Sequence, residues 1–147
     1  MTLADLIHEH RSELLGMWRT EVRRLPSAAQ LDAPTLTDSM PQVLEDLAKV
    51  LRQAKSMSLI EAYVSGAPLE HGLDRLEKNF TIGEVISEYA IMQALVFDLA
   101  DRNKVDIRGL PTHLITTFFA RSMTKASEIY VERMTGRISP SSKGPRK

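Results

Sequence analysis

The chain has 147 residues, 19 Lys+Arg against 19 Asp+Glu, no Cys, 43% hydrophobic residues and only 5% aromatic ones. That length makes one ordinary domain, able to bury roughly 68–70% of its unfolded surface, and the charge balance gives no electrostatic drive toward nucleic acid or an anionic membrane. Without Cys there is no disulfide, thiolate nucleophile, iron–sulfur cluster or Cys-based zinc site, which fits a reducing cytoplasm.

In the first segment, Leu3, Leu6, Ile7, Leu14, Met17, Trp18, Val22 and Leu25 recur at helical steps, predicting one helix over 3–25 that stops at Pro26. His8, Glu9, His10 and Arg11 interrupt any signal-peptide apolar region. Residues 26–34 read as a connector. A second helix is expected over 36–55, carrying Met40, Val43, Leu44, Leu47, Val50 and Leu51, capped by Ser39 or Asp38 ahead of Pro41. The alternative is a short helical turn at Pro34–Asp38 before the main helix.

Leu59, Ile60, Tyr63 and Val64 indicate a short helix over 56–67 ending at Gly66. A third long helix is expected over 68–79. Thr81-Ile82-Gly83-Glu84 then reads as a capping box opening a fourth helix that runs to Arg102. Ile82, Val85, Ile86, Tyr89, Met92, Val96 and Leu99 form its stripe, widened by Ile91 and Leu95, which marks it as the central helix. Its apolar run Ala90–Leu99 is broken by Gln93 and Asp98 and is far short of the ~20 residues that span a bilayer. A fifth helix over 110–135 starts near Pro111 and ends at Gly136. The basic tail 137–147 is expected to be a flexible tail or a linker to a missing output domain. The fold class is therefore all-α, a bundle or globin-like packing of five to six helices in one domain, residues 1–136.

Chemistry is sparse along the chain. His8 and His10 sit two apart and cannot chelate one metal from a helix. His71 and His113 lie near helix starts, and surface or boundary positions are expected for all four histidines. His71 is the best of poor haem-ligand candidates. There is no HExxH, no di-iron Glu-x-x-His pair, no GxSxG and no phosphate-cradling glycine loop. Neither catalytic residues, nor a metal, nor a cofactor are expected. Glu84 is accounted for by the capping box, whereas Glu88 sits mid-helix beside Tyr89, where an ion pair with Arg75 or another cation would hold it. Met92 and Met123 sit mid-helix, where flexible thioethers fill irregular gaps or line a deformable apolar cavity.

Leu36 through Leu47, then His71-Gly72-Leu73-Asp74-Arg75-Leu76 and Asn79-Phe80-Thr81 through Glu88-Tyr89, resemble the RsbRD-type N-terminal sensor domain of stressosome co-antagonists and bacterial sensor histidine kinases. The Trp18 helix and its Leu25-Pro26 break are similar too, so the resemblance covers about residues 3–135. It implies a globin-like domain that does not bind haem and acts as a dimeric input module, passing a signal to a kinase or STAS domain. It also implies room for a small apolar ligand where haem would sit. The chain departs at Gln93-Ala94, where the family commonly carries an Arg. No phosphoacceptor helix or ATP-binding region follows, so either an output domain is cut away or the protein works alone.

The expected function is a cytoplasmic, non-catalytic signal-sensing domain that relays its signal by helix repacking. Tyr89, Met92, Phe118, Phe119 and Met123 form the expected coupling core, with Glu88 and Arg75 as its polar element. A homodimer is expected, its surfaces on the 3–25 and 110–135 helices, with no nucleic-acid or membrane partner. The alternatives are a haem- or tetrapyrrole-binding globin and a small all-α protein-interaction module.

Overall fold

A computed structural model describes residues 1–53 and 67–136. The expected short helix over 56–67 up to Gly66, the end of the expected second helix at Lys55 and the tail 137–147 lie outside the described residues, and Ala67 opens the next helix.

Helix α1 (Leu3–Glu9) starts from a capping box in which Thr2 Oγ1 accepts the Asp5 amide and the Asp5 carboxylate accepts the Thr2 amide. Helix α2 (Arg11–Val22) follows at once. The single helix expected over 3–25 is thus corrected to two, bent at His10 (φ −101°, ψ 20°). The polar run His8–Glu13 offers no apolar contact to keep the axis straight. The bend lets α1 lie mainly on the helix Met40–Gln53 while α2 crosses to the helix Ile82–Arg102. Leu25 is extended ahead of Pro26, as a residue before proline prefers.

A 3₁₀ turn (Pro26–Ala28) leads to α3 (Ala33–Thr37), where the Asp32 carboxylate accepts the Thr35 amide at 2.8 Å. Asp38 then takes φ +46°, and α4 runs Met40–Gln53. The helix expected over 36–55 is therefore divided, with the short turn ahead of the main helix.

Helix α5 (Ala67–Glu77) ends at Asn79 in a left-handed conformation. Helix α6 (Ile82–Arg102) opens with the Thr81/Glu84 capping box read from the sequence, and Glu84 also accepts from the Ser27 amide and hydroxyl. Helix α7 (Leu110–Thr135) has Pro111 in its first turn and left-handed Gly136 as its C-terminal stop.

The result is an all-α bundle, with no strand among the described residues. Helix α6 packs on α1, α2 and α7, while α7 packs on α4, α5 and α6. The aliphatic core gathers Ile7, Leu14, Trp18, Leu44, Leu47, Val96, Ile115, Phe118 and Phe119. Among the described residues no helix is long and apolar enough to cross a membrane.

Candidate functional site: a buried charge network

Among the described residues, the side chains of His71, Arg75 and Glu88 bring ionic groups into this aliphatic core with no solvent exposure. Helix α5 presents His71 and Arg75 one turn apart on its inner face, because a four-residue step returns to the same side. Glu88, on α6, meets both. Its Oε1 lies 2.7 Å from His71 Nε2, and its Oε2 accepts Arg75 Nη2 at 2.8 Å and Nε at 3.0 Å. The Arg75 fork is completed by the Thr35 and Leu36 carbonyls, at the end of α3, and by Asp74. The Phe80 ring lies 4.8 Å below its guanidinium carbon.

On the other side of His71, Nδ1 lies 2.8 Å from Asp38 Oδ2. Ionised carboxylates only accept, so the imidazole satisfies both neighbours as the doubly protonated imidazolium. Burial opposes that charge. The Glu88 charge and the hydrogen bonds that His71 donates to Asp38 and Glu88 outweigh it and hold His71 above its ordinary value. Asp38 shows the mirror image: burial pushes it up, but the His71 hydrogen bond and charge bring it below the ordinary carboxylate value. Lys78 adds a bond to Asp74 at 2.9 Å. Asp38, Asp74 and Glu88 then face His71, Arg75 and Lys78, three charges of each sign.

The network is locked into neighbouring helices. Trp18 Nε1, from α2, donates to the Glu88 carbonyl at 2.8 Å. The Tyr89 ring packs edge-on to His71, with centroids 5.5 Å apart. Among the described residues the buried Tyr89 hydroxyl has no partner, and burial together with the Glu88 and Asp38 charges pushes its pKa up. Tyr130 donates to the Phe80 carbonyl, tying α7 to the turn after α5.

The expected coupling residues thus separate into three places. Arg75, Glu88 and Tyr89 come together in the network. Met92, Phe118 and Phe119 are buried in the aliphatic core, the two phenyl rings meeting edge-to-face. Met123 is half-buried and lines a surface groove of about 490 Å³ between α6 and α7. A second recess of about 510 Å³ lies between the start of α1, the end of α4 and the loop before α7. The surface or boundary position expected for His71 is corrected: α5 turns it inward, where two carboxylates offset the cost of burying it. Both ring nitrogens are engaged, so a haem iron would have to displace Glu88 or Asp38. His8 and His113 are exposed, as the sequence indicated.

Three residues of the site escaped the sequence reading. Asp38 passed for a helix cap, since a cap and a buried counter-ion use the same residue type. Trp18 passed for core alone. Gly72 carried a signal of its own, a glycine inside a helical pattern, which marks a close approach. A Cβ there would lie 2.7 Å from both the Ala126 carbonyl oxygen and Ile129 Cγ2 of α7. Among the described residues no group of His, Asp or Glu is arranged to hold a metal ion. No family model, curated protein or solved structure matches the chain.

Proposed function

We propose that the chain is a bacterial cytoplasmic signal-sensing input domain, without catalytic activity, that relays its signal by helix repacking to a histidine kinase or STAS-type output. The observation that carries this reading is the adjacency of His71 and Gly72. His71 belongs to the charge network, and Gly72 is the point where α5 presses on the α7 backbone. Any change in the charge or hydrogen bonding of the network acts on α5 at the residue next to that contact. Helix α7 spans 26 residues and gives the displacement a rigid lever.

Buried ionic groups stabilise little against apolar replacements, and their best-attested use is to select between alternative packings. The signal is a small apolar ligand or a partner that binds one packing better than the other, which is sufficient to shift the population. The resemblance to RsbRD-type sensor domains supports the same reading, including its non-haem globin-like character. A haem- or tetrapyrrole-binding globin is the weaker reading, because both His71 nitrogens face carboxylates.

A chimera carrying a histidine-kinase core after Gly136 tests the proposal. The substitution His71→Gln should change autophosphorylation several-fold and alter hydrogen exchange along residues 126–135, with helix content by circular dichroism preserved. Identical phosphorylation and identical exchange in the two proteins would overturn the reading.

A further inference from the structure

The His71 ring sits between two carboxylates, with Glu88 Oε1 at 2.7 Å from Nε2 and Asp38 Oδ2 at 2.8 Å from Nδ1. As an imidazolium it donates to both. A neutral imidazole has one N–H and one lone pair, so loss of a proton turns one of these bonds into a lone pair facing a carboxylate. The two sides differ in how they can respond. Glu88 has no exposure, and Arg75 holds both of its oxygens, Oε1 at 3.2 Å and Oε2 at 2.8 and 3.0 Å. The Asp38 side chain is 24% exposed, so water can replace the ring, and its neighbour Ser39 bonds it whether or not the ring is there. Asp38 also holds φ +46° and ψ −122°, a backbone conformation that a residue with a side chain keeps only where its surroundings impose it.

We infer that the His71–Asp38 bond is a pH-operated latch on the joint between α3 and α4: loss of one imidazole proton leaves the other on Nε2, toward Glu88, and releases Asp38. Glu88 from α6, Asp38 from the joint and Arg75 from α5 itself are the charges set against the ring. Beyond Arg75 on α5, Asp74 and Lys78 pair at 2.9 Å. Tyr89 on α6 lies edge-on to the imidazole and stays neutral, because burial and the Glu88 and Asp38 charges push its pKa up. The buried Asp46 of α4 is bonded to Gln42, and α7 meets the neighbouring Gly72 with Ala126 and Ile129. Burial opposes the imidazolium, but the Glu88 charge and the bonds to Asp38 and Glu88 outweigh it. The latch is therefore closed at and below the ordinary histidine value of 6.5 and opens as pH rises above it. Opening stays local. The Thr35 and Leu36 carbonyls keep α3 on Arg75. Ser39, whose hydroxyl bonds the Ala67 carbonyl and whose carbonyl accepts the Gln42 and Val43 amides, loses its fixed neighbour, so the first turn of α4 is what is set free. Joined to the relay proposed above, and resting on that reading only in this step, the latch makes the network responsive to pH.

Nuclear magnetic resonance of the ¹⁵N-labelled 147-residue chain tests the latch, with pH taken from about 5 to about 10. Both His71 ring nitrogens should be protonated at the acid end and Nε2 alone at the alkaline end. Across that transition the protection factors of the Gln42 and Val43 amides, corrected for the intrinsic pH dependence of exchange, should fall about tenfold. Those of Tyr89 and Met92 in α6 should hold. Asp38→Asn tolerates the same backbone, and its amide group accepts from an N–H or donates to a lone pair. In that variant the His71 transition should leave the Gln42 and Val43 protection unchanged. A proton retained on Nδ1 instead of Nε2, an imidazolium that persists to the alkaline end, or constant Gln42 and Val43 protection in the wild type would overturn the inference. So would a fall of equal size in Asp38→Asn. These readouts need no output domain, so their failure is distinct from failure of the kinase chimera.

Discussion

Glu88 is the residue on which the network depends most. Its carboxylate is the shared acceptor for a buried guanidinium and a buried imidazolium. Removing one partner of a buried ion pair leaves the others charged and desolvated, which costs about 3–5 kcal/mol. Glu88→Gln keeps the volume and deletes the charge, so urea denaturation should show a loss of that order. Glu84, four residues earlier, is a useful contrast. It caps α6 and binds Ser27 near the surface, and neither role involves a buried counter-ion. Two glutamates on one helix, a turn apart, therefore have unrelated duties. The sequence separated them only because Thr81 precedes one by three residues.

At the scale of an element, α5 and α7 meet through a glycine. Ala at a helix-interior Gly gains up to about 1 kcal/mol of helix propensity. At Gly72 the added methyl would press on the Ala126 carbonyl, and backbone cannot step aside as a side-chain end can. Overpacking costs typically 1–3 kcal/mol, so the clash outweighs the propensity. Gly72→Ala should lower the urea midpoint and change the hydrogen exchange of α7. Gly16→Ala, in α2, should do the opposite. Its new methyl meets only the end of the Arg19 side chain at 4.0 Å, so stability should rise by about 0.5–1 kcal/mol.

For the whole molecule, the paired shifts of His71 and Asp38 set a pH window. His71 is raised above its ordinary 6.5 in the folded state. Its contribution is fully present below 6.5 and is lost as pH rises through the raised folded value. Asp38 is lowered below its ordinary 3.8, so its contribution is present above 3.8 and lost as pH falls through the lowered value. Together they predict maximal stability on the mildly acidic side, between about 4 and 6.5. Chemical denaturation across pH should show the alkaline decline in the wild type. His71→Gln should remove most of it, and an unchanged decline in that variant would discharge His71 from the role.

Local chemistry alone determined the helices and several of their ends: the Thr81–Glu84 box, Pro111 at the start of α7 and Gly136 at its end act within one or two turns of chain. Apolar periodicity likewise determined the all-α class and most of the core, because burial follows helical phase. Tertiary structure decided the rest. The bend at His10 and the break at Asp38 arise because α1 and α2 lie on different neighbours and because α3 delivers two carbonyls to Arg75. Periodicity does not register that demand. The inward turn of His71 was equally hidden, since a histidine is buried or exposed according to the counter-charges that distant segments bring to it. Asp38, 33 residues away, and Glu88, 17 residues away, supply them only after α3, α5 and α6 have packed.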